Sequence, residues 1–315
     1  MLLAGWLGIA NASAGVWVRD LGDGYGQVGW STNWADHWYS PSGEALPMAG
    51  PVVLGDLAPL FDEVRFVGHE LAAYGEVGVG RGFEVFGSLP VRGVATHWTW
   101  AGDVQPPFAL TGVGLGDAVA GTRFGQVGAR GAWSTVASLR VPLYDNSPVA
   151  LGMEAGNSDL LDDRVPLGQG TIEIDVGVAG GLSLGRAGWM LSEVGLRLRD
   201  RGYAPQLPAR AQVGLTPAPW AGVTLDVDGL ATVGTGDQPT ELRDIYGKGP
   251  LFVDGAARLG VFGGVFLKPF TGRDDRWRTA GLRIGGGGLV AGAATAASAG
   301  VSASIFWEGK WFDPS

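Results

Sequence analysis

The chain has 315 residues, and glycine takes 56 of them, well over twice the usual ~7 %, without the G-X-Y period of a collagen. Hydrophobic residues at 46 % exclude a disordered linker, and 22 Lys plus Arg against 31 Asp plus Glu, a net charge of −9, argue against nucleic acid held on a basic surface. The absence of cysteine excludes disulfides, thiolate metal sites and a cysteine nucleophile, while His37, His69 and His97 are too scattered for a zinc motif, so no metal and no cofactor is expected.

Met1 to Ala14 is an apolar run ending Ala12-Ser13-Ala14, an A-x-A cleavage pattern, so residues 1–14 read as a signal peptide and 15–315 as one barrel domain. No Lys or Arg precedes the run, as would also hold for a late start codon or a buried strand. It is too short to cross a bilayer as a helix, which takes ~20 residues.

From Tyr25 onward the dominant period is two, the strand signature. Ile172, Ile174 and Val176 share one face while Glu173 and Asp175 share the other; Val194, Leu196 and Leu198 alternate with Glu193, Arg197 and Arg199 in the same way. Twelve strands are predicted, at 25–34, 64–78, 82–91, 113–124, 132–142, 171–183, 188–199, 208–216, 221–234, 251–267, 277–290 and 298–309. Most reach the ~9–11 residues that a tilted strand needs to cross hydrocarbon. Their connections alternate: 35–63, 92–112, 143–170 and 235–250 are long, and those near Gly80, Gly128, Gly185, Pro217 to Trp220 and Gly272 to Arg276 are short, while two on the loop end, around Gly202 and Gly292, are shorter and fit less well. The expectation is an all-β, transmembrane antiparallel β-barrel of about twelve strands with long extracellular loops and short periplasmic turns.

Two further expectations concern the wall. Trp133, Trp189, Trp220 and Trp277 follow short turns and Trp30, Trp34, Trp98 and Trp100 lie toward the long loops, which predicts two aromatic girdles at the membrane interfaces. A Lys or Arg on the lipid face near the midplane costs roughly 2–4 kcal/mol, so the charged face is assigned to the lumen. That set is Glu70, Glu76, Glu84, Asp117, Arg123, Arg140, Glu173, Asp175, Glu193, Arg197, Arg199, Arg210, Asp226, Asp228, Asp254, Arg258 and Arg283. So many charges of both signs predict a solvated or salt-bridged interior, and the glycines allow a curved wall with open volume.

The order of motifs resembles the family of outer-membrane proteins named after the meta-pathway of phenol degradation, itself similar to the long-chain fatty-acid transporters of Gram-negative bacteria. The resemblance rests on Gly24-Tyr25 to Trp34, Ala73-Tyr74-Gly75-Glu76-Val77-Gly78, Ser88-Leu89-Pro90 and Gly114-Leu115-Gly116-Asp117. Gly121-Thr122-Arg123-Phe124, Ser138-Leu139-Arg140-Val141-Pro142, Pro166-Leu167-Gly168-Gln169-Gly170 and Gly195-Leu196-Arg197-Leu198-Arg199 extend it over most of the chain. It implies an outer-membrane location, contact with the bilayer and the outer-membrane assembly machinery, and a small hydrophobic ligand. Two departures stand out: Trp311-Phe312 is followed by Asp313-Pro314-Ser315 instead of closing on an aromatic residue, and Gly15 to Asp23 is too short for the transporters' hatch.

Chemistry is sparse. No serine reads as a nucleophile elbow, and His97 is the least implausible base for a barrel-embedded hydrolase. Gly285 to Gly288 lacks the Lys of a phosphate loop, and Glu154, Asp159, Asp162 and Asp163 read as a solvated acidic loop before a calcium site. The leading expectation is a non-enzymatic, monomeric channel or transporter for small compounds, hydrophobic ones included. The alternatives are a non-transporting barrel that anchors or presents its acidic loops, and a secreted soluble all-β protein.

Overall fold

The computed structural model describes residues 16–40, 42–50, 55–103, 105–145, 167–234, 256–271 and 278–312. In chain order its strands are β1 (Asp23–Tyr39), the short β2 (Ala45–Pro47), β3 (Phe61–Gly80), β4 (Phe83–Trp100), β5 (Phe108–Leu115), β6 (Asp117–Val127) and β7 (Gly131–Pro142). They continue with β8 (Glu173–Ser183), β9 (Gly188–Arg199), β10 (Gln206–Ala218), β11 (Ala221–Thr232), β12 (Ala257–Thr271), β13 (Thr279–Ala293) and β14 (Thr295–Lys310).

Each strand pairs antiparallel with its neighbour in sequence, and β14 returns to β1 from Asp23 against Lys310 to Tyr39 against Thr295, closing the sheet. Closure removes both free edges, the only way a sheet can satisfy its backbone in lipid. The barrel has twelve staves, as β2 merely rides on the end of β1 and β5 and β6 together form one stave against β4. That stave kinks at Gly116, whose N–H donates to the Pro90 carbonyl at 2.8 Å and where a Cβ would meet Arg92 and Pro90 at 2.9 Å. Among the described residues β5 pairs with β4 alone.

The strands differ from expectation chiefly at the long-loop end. β1 runs to Tyr39 and β4 to Trp100, so His97 lies on a strand, and the predicted 113–124 is two strands. Beyond the hydrocarbon zone the ladder continues, but outward residues are no longer required to be apolar, so the period-two signal fades before the hydrogen bonding does.

Alternation sorts the wall as lipid demands. Outward positions carry Val28, Leu71, Val85, Leu89, Leu139, Ile174, Val178, Leu196, Leu225, Ile284, Val301 and Ile305, each at least 36 % exposed. The apolar face is therefore the outside, the reverse of what a soluble sandwich would bury. Trp311 covers Gly24 at the turn end of β1, and Trp34 is exposed about ten residues further up that strand. At ~3.3 Å per residue and a tilt of ~40° this interval spans ~25 Å, the height of an outer-membrane barrel's apolar band.

Candidate functional site

The candidate site is the lumen, built from the inward residue of each alternating pair. Of the residues assigned to it from sequence, all but Asp254 stand on inward positions of the described strands; Asp254 lies outside the described residues. Cross-strand register sets opposite charges against one another. Glu70 faces Arg92, Glu84 faces Arg123, Glu173 faces both Arg140 and Arg199, Asp175 faces Arg197, and Arg210 faces Asp228 on one side and Glu193 on the other. Opposite charges at directly opposed positions support pairing, and inside a wall they also spare each carboxylate an uncompensated burial.

Four clusters result. Toward the turn end, Arg123 pairs with Glu84, and Arg19 with Glu76 at 2.9 Å; Tyr74 donates to Glu76 at 2.5 Å. At mid-height Arg92 bridges Glu70 at 2.8 Å and Asp117 at 2.7 Å, and Asp117 also accepts from Tyr144 at 2.8 Å. Burial, then Asp117, holds the Tyr144 phenol well above its ordinary range. Beside it, Arg140 reaches Glu173 at 3.0 Å, and Arg197 reaches Asp175 at 2.7 Å and Glu173 at 3.3 Å. On the other wall Arg210 pairs with Asp226, which also accepts from Gln212 at 2.6 Å and lies 3.5 Å from Arg283. Of these groups Arg92, Asp117, Arg123, Arg140, Glu173, Asp175, Arg197 and Arg210 line a cavity of about 320 Å³, together with Arg258, Asp228 and Glu193.

Aromatic residues close both ends of this charged zone. At the loop end Phe61, Trp98, Trp100 and Phe108 form one cluster, with Phe61 4.9 Å from Trp98 and Trp98 stacked on Phe108 at 6.0 Å. At the turn end Tyr25, Tyr74, Phe266 and Phe306 are buried together, with Phe86 and Trp189 against them. Three girdle assignments are thereby corrected. Trp98 and Trp100 face inward, and Trp189 donates to Gln212 at 3.3 Å inside the barrel. Parity carries the signal: Trp98 and Trp100 stand in step with Glu84 and Arg92, and Trp189 with Glu193 and Arg197, whereas the girdle was inferred from height along the wall alone. Trp30, Trp34, Trp133 and Trp220 are exposed on the outer face, Trp30 stacked on His69 at 6.1 Å, and Trp277 lies outside the described residues. Trp307 and Trp311 join the outer face over Gly26 and Gly24, positions where only a hydrogen leaves room for the indoles.

A second element of the lumen was not read as such from sequence. The segment Val16–Asp20, too short for a hatch, nevertheless runs inside the barrel at the turn end. Val16 is fully buried against Ala132 and Leu191, and the Arg19 backbone N–H donates to Glu84 at 3.1 Å. Gly78, Gly125 and Gly181 line its path, and a Cβ at any of them would collide with it. Glycine on the inner wall thus makes room for a strap as well as for curvature.

A G-x-S-x-G spacing does occur, Gly181-Leu182-Ser183-Leu184-Gly185, but Ser183 ends β8 at a hairpin instead of a strand-to-helix elbow. The histidines stand on β1, β3 and β4, away from it. The Gly285 to Gly288 run is continuous strand within β13, and the acidic residues from Glu154 to Asp163 lie outside the described residues.

No family model and no curated protein matches the sequence. Among solved structures the chain is similar to an outer-membrane channel from Pseudomonas putida F1, with a TM-score of 0.61 and 11 % identity over 93 % of this chain and 97 % of that one. Lower similarity extends to the translocator domain of the autotransporter NalP from Neisseria meningitidis, at TM-score 0.45 and 11 % identity over 90 % and 88 %. It extends also to a FadL homologue of Pseudomonas aeruginosa, at 0.43 and 8 % over 99 % and 98 %. The fold is that of an outer-membrane β-barrel, shared over nearly the whole length with the Pseudomonas putida protein.

Proposed function

We propose that this chain is an outer-membrane channel or transporter of a Gram-negative bacterium that passes small compounds, hydrophobic ones included, along its lumen. The observation that carries this reading is a closed barrel, apolar outside, whose interior holds paired charges around a cavity of about 320 Å³ between two aromatic clusters. A wall with this polarity suits lipid on one side and water or solute on the other. The role named for the Pseudomonas putida structure supports a channel, and the resemblance to the meta-pathway family supports its hydrophobic cargo. We take the protein to work as a monomer, without cofactor or catalysis, after insertion by the outer-membrane assembly machinery.

The test is solute flux into liposomes carrying the purified barrel, scored for small polar and small hydrophobic compounds. Flux above that of protein-free vesicles is expected for at least the hydrophobic class; permeability unchanged for both would refute transport. The ion pairs between inward side chains and the strap at the turn end favour as second reading a closed barrel serving as a surface anchor. Impermeable vesicles, combined with a heat-dependent gel shift of the intact barrel, would select it.

A further inference from the structure

Below the charged zone, at the turn end, lies a second chamber of about 460 Å³, a size suited to a small organic ligand. Its wall is aromatic: Trp17 of the strap, Tyr25, Trp189, Phe266 and Phe306 line it. Tyr25 stacks on Phe306 with centroids 6.1 Å apart, and Trp189 leans on Phe266 at 5.9 Å, leaving flat apolar surfaces toward the space. Its charge is one-sided. Arg19, Lys268 and Arg283 line it against a single carboxylate, Glu308. Arg19 is engaged by Glu76 at 2.9 Å and by Glu308 at 3.9 Å, and Arg283 leans on Asp226 at 3.5 Å, whereas the Lys268 ammonium forms no ion pair among the described residues and rests 5.6 Å from the Phe266 ring centroid.

An ammonium held on an aromatic face, in no ion pair among the described residues, is matched by an anion whose body covers the rings. We propose that this chamber binds small organic monoanions with a flat apolar body, such as aromatic carboxylates, with Lys268 taking the charge and Trp189 and Phe266 the ring. This names a substrate class for the lumen and rests on the reading of that lumen as a solute path.

The probe is 2-naphthoate, with 2-naphthamide as its uncharged counterpart, titrated calorimetrically onto the full chain in nanodiscs with empty nanodiscs as background. Naphthoate should bind saturably and about tenfold tighter than the amide, and Lys268→Gln should erase that difference. Glu308→Gln should tighten naphthoate about threefold and leave the amide unchanged, a gain that no folding defect imitates. Equal affinity for both probes, or a Lys268→Gln barrel that keeps its heat-dependent gel shift and its preference for naphthoate, would overturn the site. Should Lys268→Gln fail to fold, Glu308→Gln decides alone, and its failure to tighten naphthoate is equally fatal. Flux measured on the same preparation separates the two readings. Binding without flux removes transport and leaves the site, and flux without binding removes only the site.

Discussion

Replacing Arg92 by Met keeps the aliphatic stem and deletes the guanidinium that joins Glu70 on β3 to Asp117 on β6. The side chains of Arg92 and Glu70 are 3 % and 6 % exposed, so water cannot take over the lost contacts. Removing one partner of a buried pair costs about 3–5 kcal/mol, because the other charge stays behind. Here two carboxylates stay behind, but Asp117 is 12 % exposed and keeps the Tyr144 hydroxyl at 2.8 Å, which softens its share. A loss of about 4 kcal/mol is therefore expected. The assay is urea unfolding and refolding in lipid vesicles, followed by tryptophan emission and by the heat-dependent gel shift. The neutral triple variant Arg92→Met, Glu70→Gln, Asp117→Asn should recover at least half of the loss, since no uncompensated charge remains. A single-variant loss below about 1 kcal/mol, or a triple variant no more stable than the single, would refute the claim that these pairs set interior stability.

Deleting Val16–Asp20 empties the turn-end mouth, and small-solute flux into liposomes should rise severalfold; an unchanged flux would mean that the strap does not obstruct the path. Lipids brominated near the headgroup should quench Trp34 and Trp220 but not Trp98 or Trp189, read as the quenching lost when each is changed to Phe, and quenching lost with Trp98→Phe would contradict its inward placement. Tyr144 titrates above its ordinary value when folded, so its contribution is complete below about pH 10, the unfolded pKa, and is lost as pH rises beyond it. The alkaline limb should fall by about 1.4 kcal/mol per pH unit more than in Tyr144→Phe, and parallel limbs would show that the phenol is not held in its neutral form.

Much of the barrel is legible in the chain because its signals are local. Glu193-Val194-Gly195-Leu196-Arg197-Leu198-Arg199 states its own two faces, and β9 has the same bounds by pattern and by structure, Gly188–Arg199. Lipid makes the assignment of faces unambiguous, since Arg197 facing outward would cost more than any nearby group could return. The same parity places Trp133, in step with Leu139, outside and Trp189, in step with Arg197, inside. Height along the strand, by contrast, says nothing of direction, which is why Trp98, Trp100 and Trp189 read as girdle residues until the face was known.

The amino-acid sequence by itself determined that this protein is a barrel, how many staves close it and which charged side chains face inward, all of which follow from a two-residue period and the polarity of the solvent. Only the tertiary structure decided that Glu70 meets Arg92, that Glu173 lies between Arg140 and Arg199, that β5 and β6 kink at Gly116, and that Val16–Asp20 turns back into the lumen. A one-residue slip would reverse every face, so alternation specifies direction strongly, but a two-residue slip preserves the faces and changes every partner. Partners are settled by the sum of turns, bulges and closure around the whole barrel, which no local pattern contains.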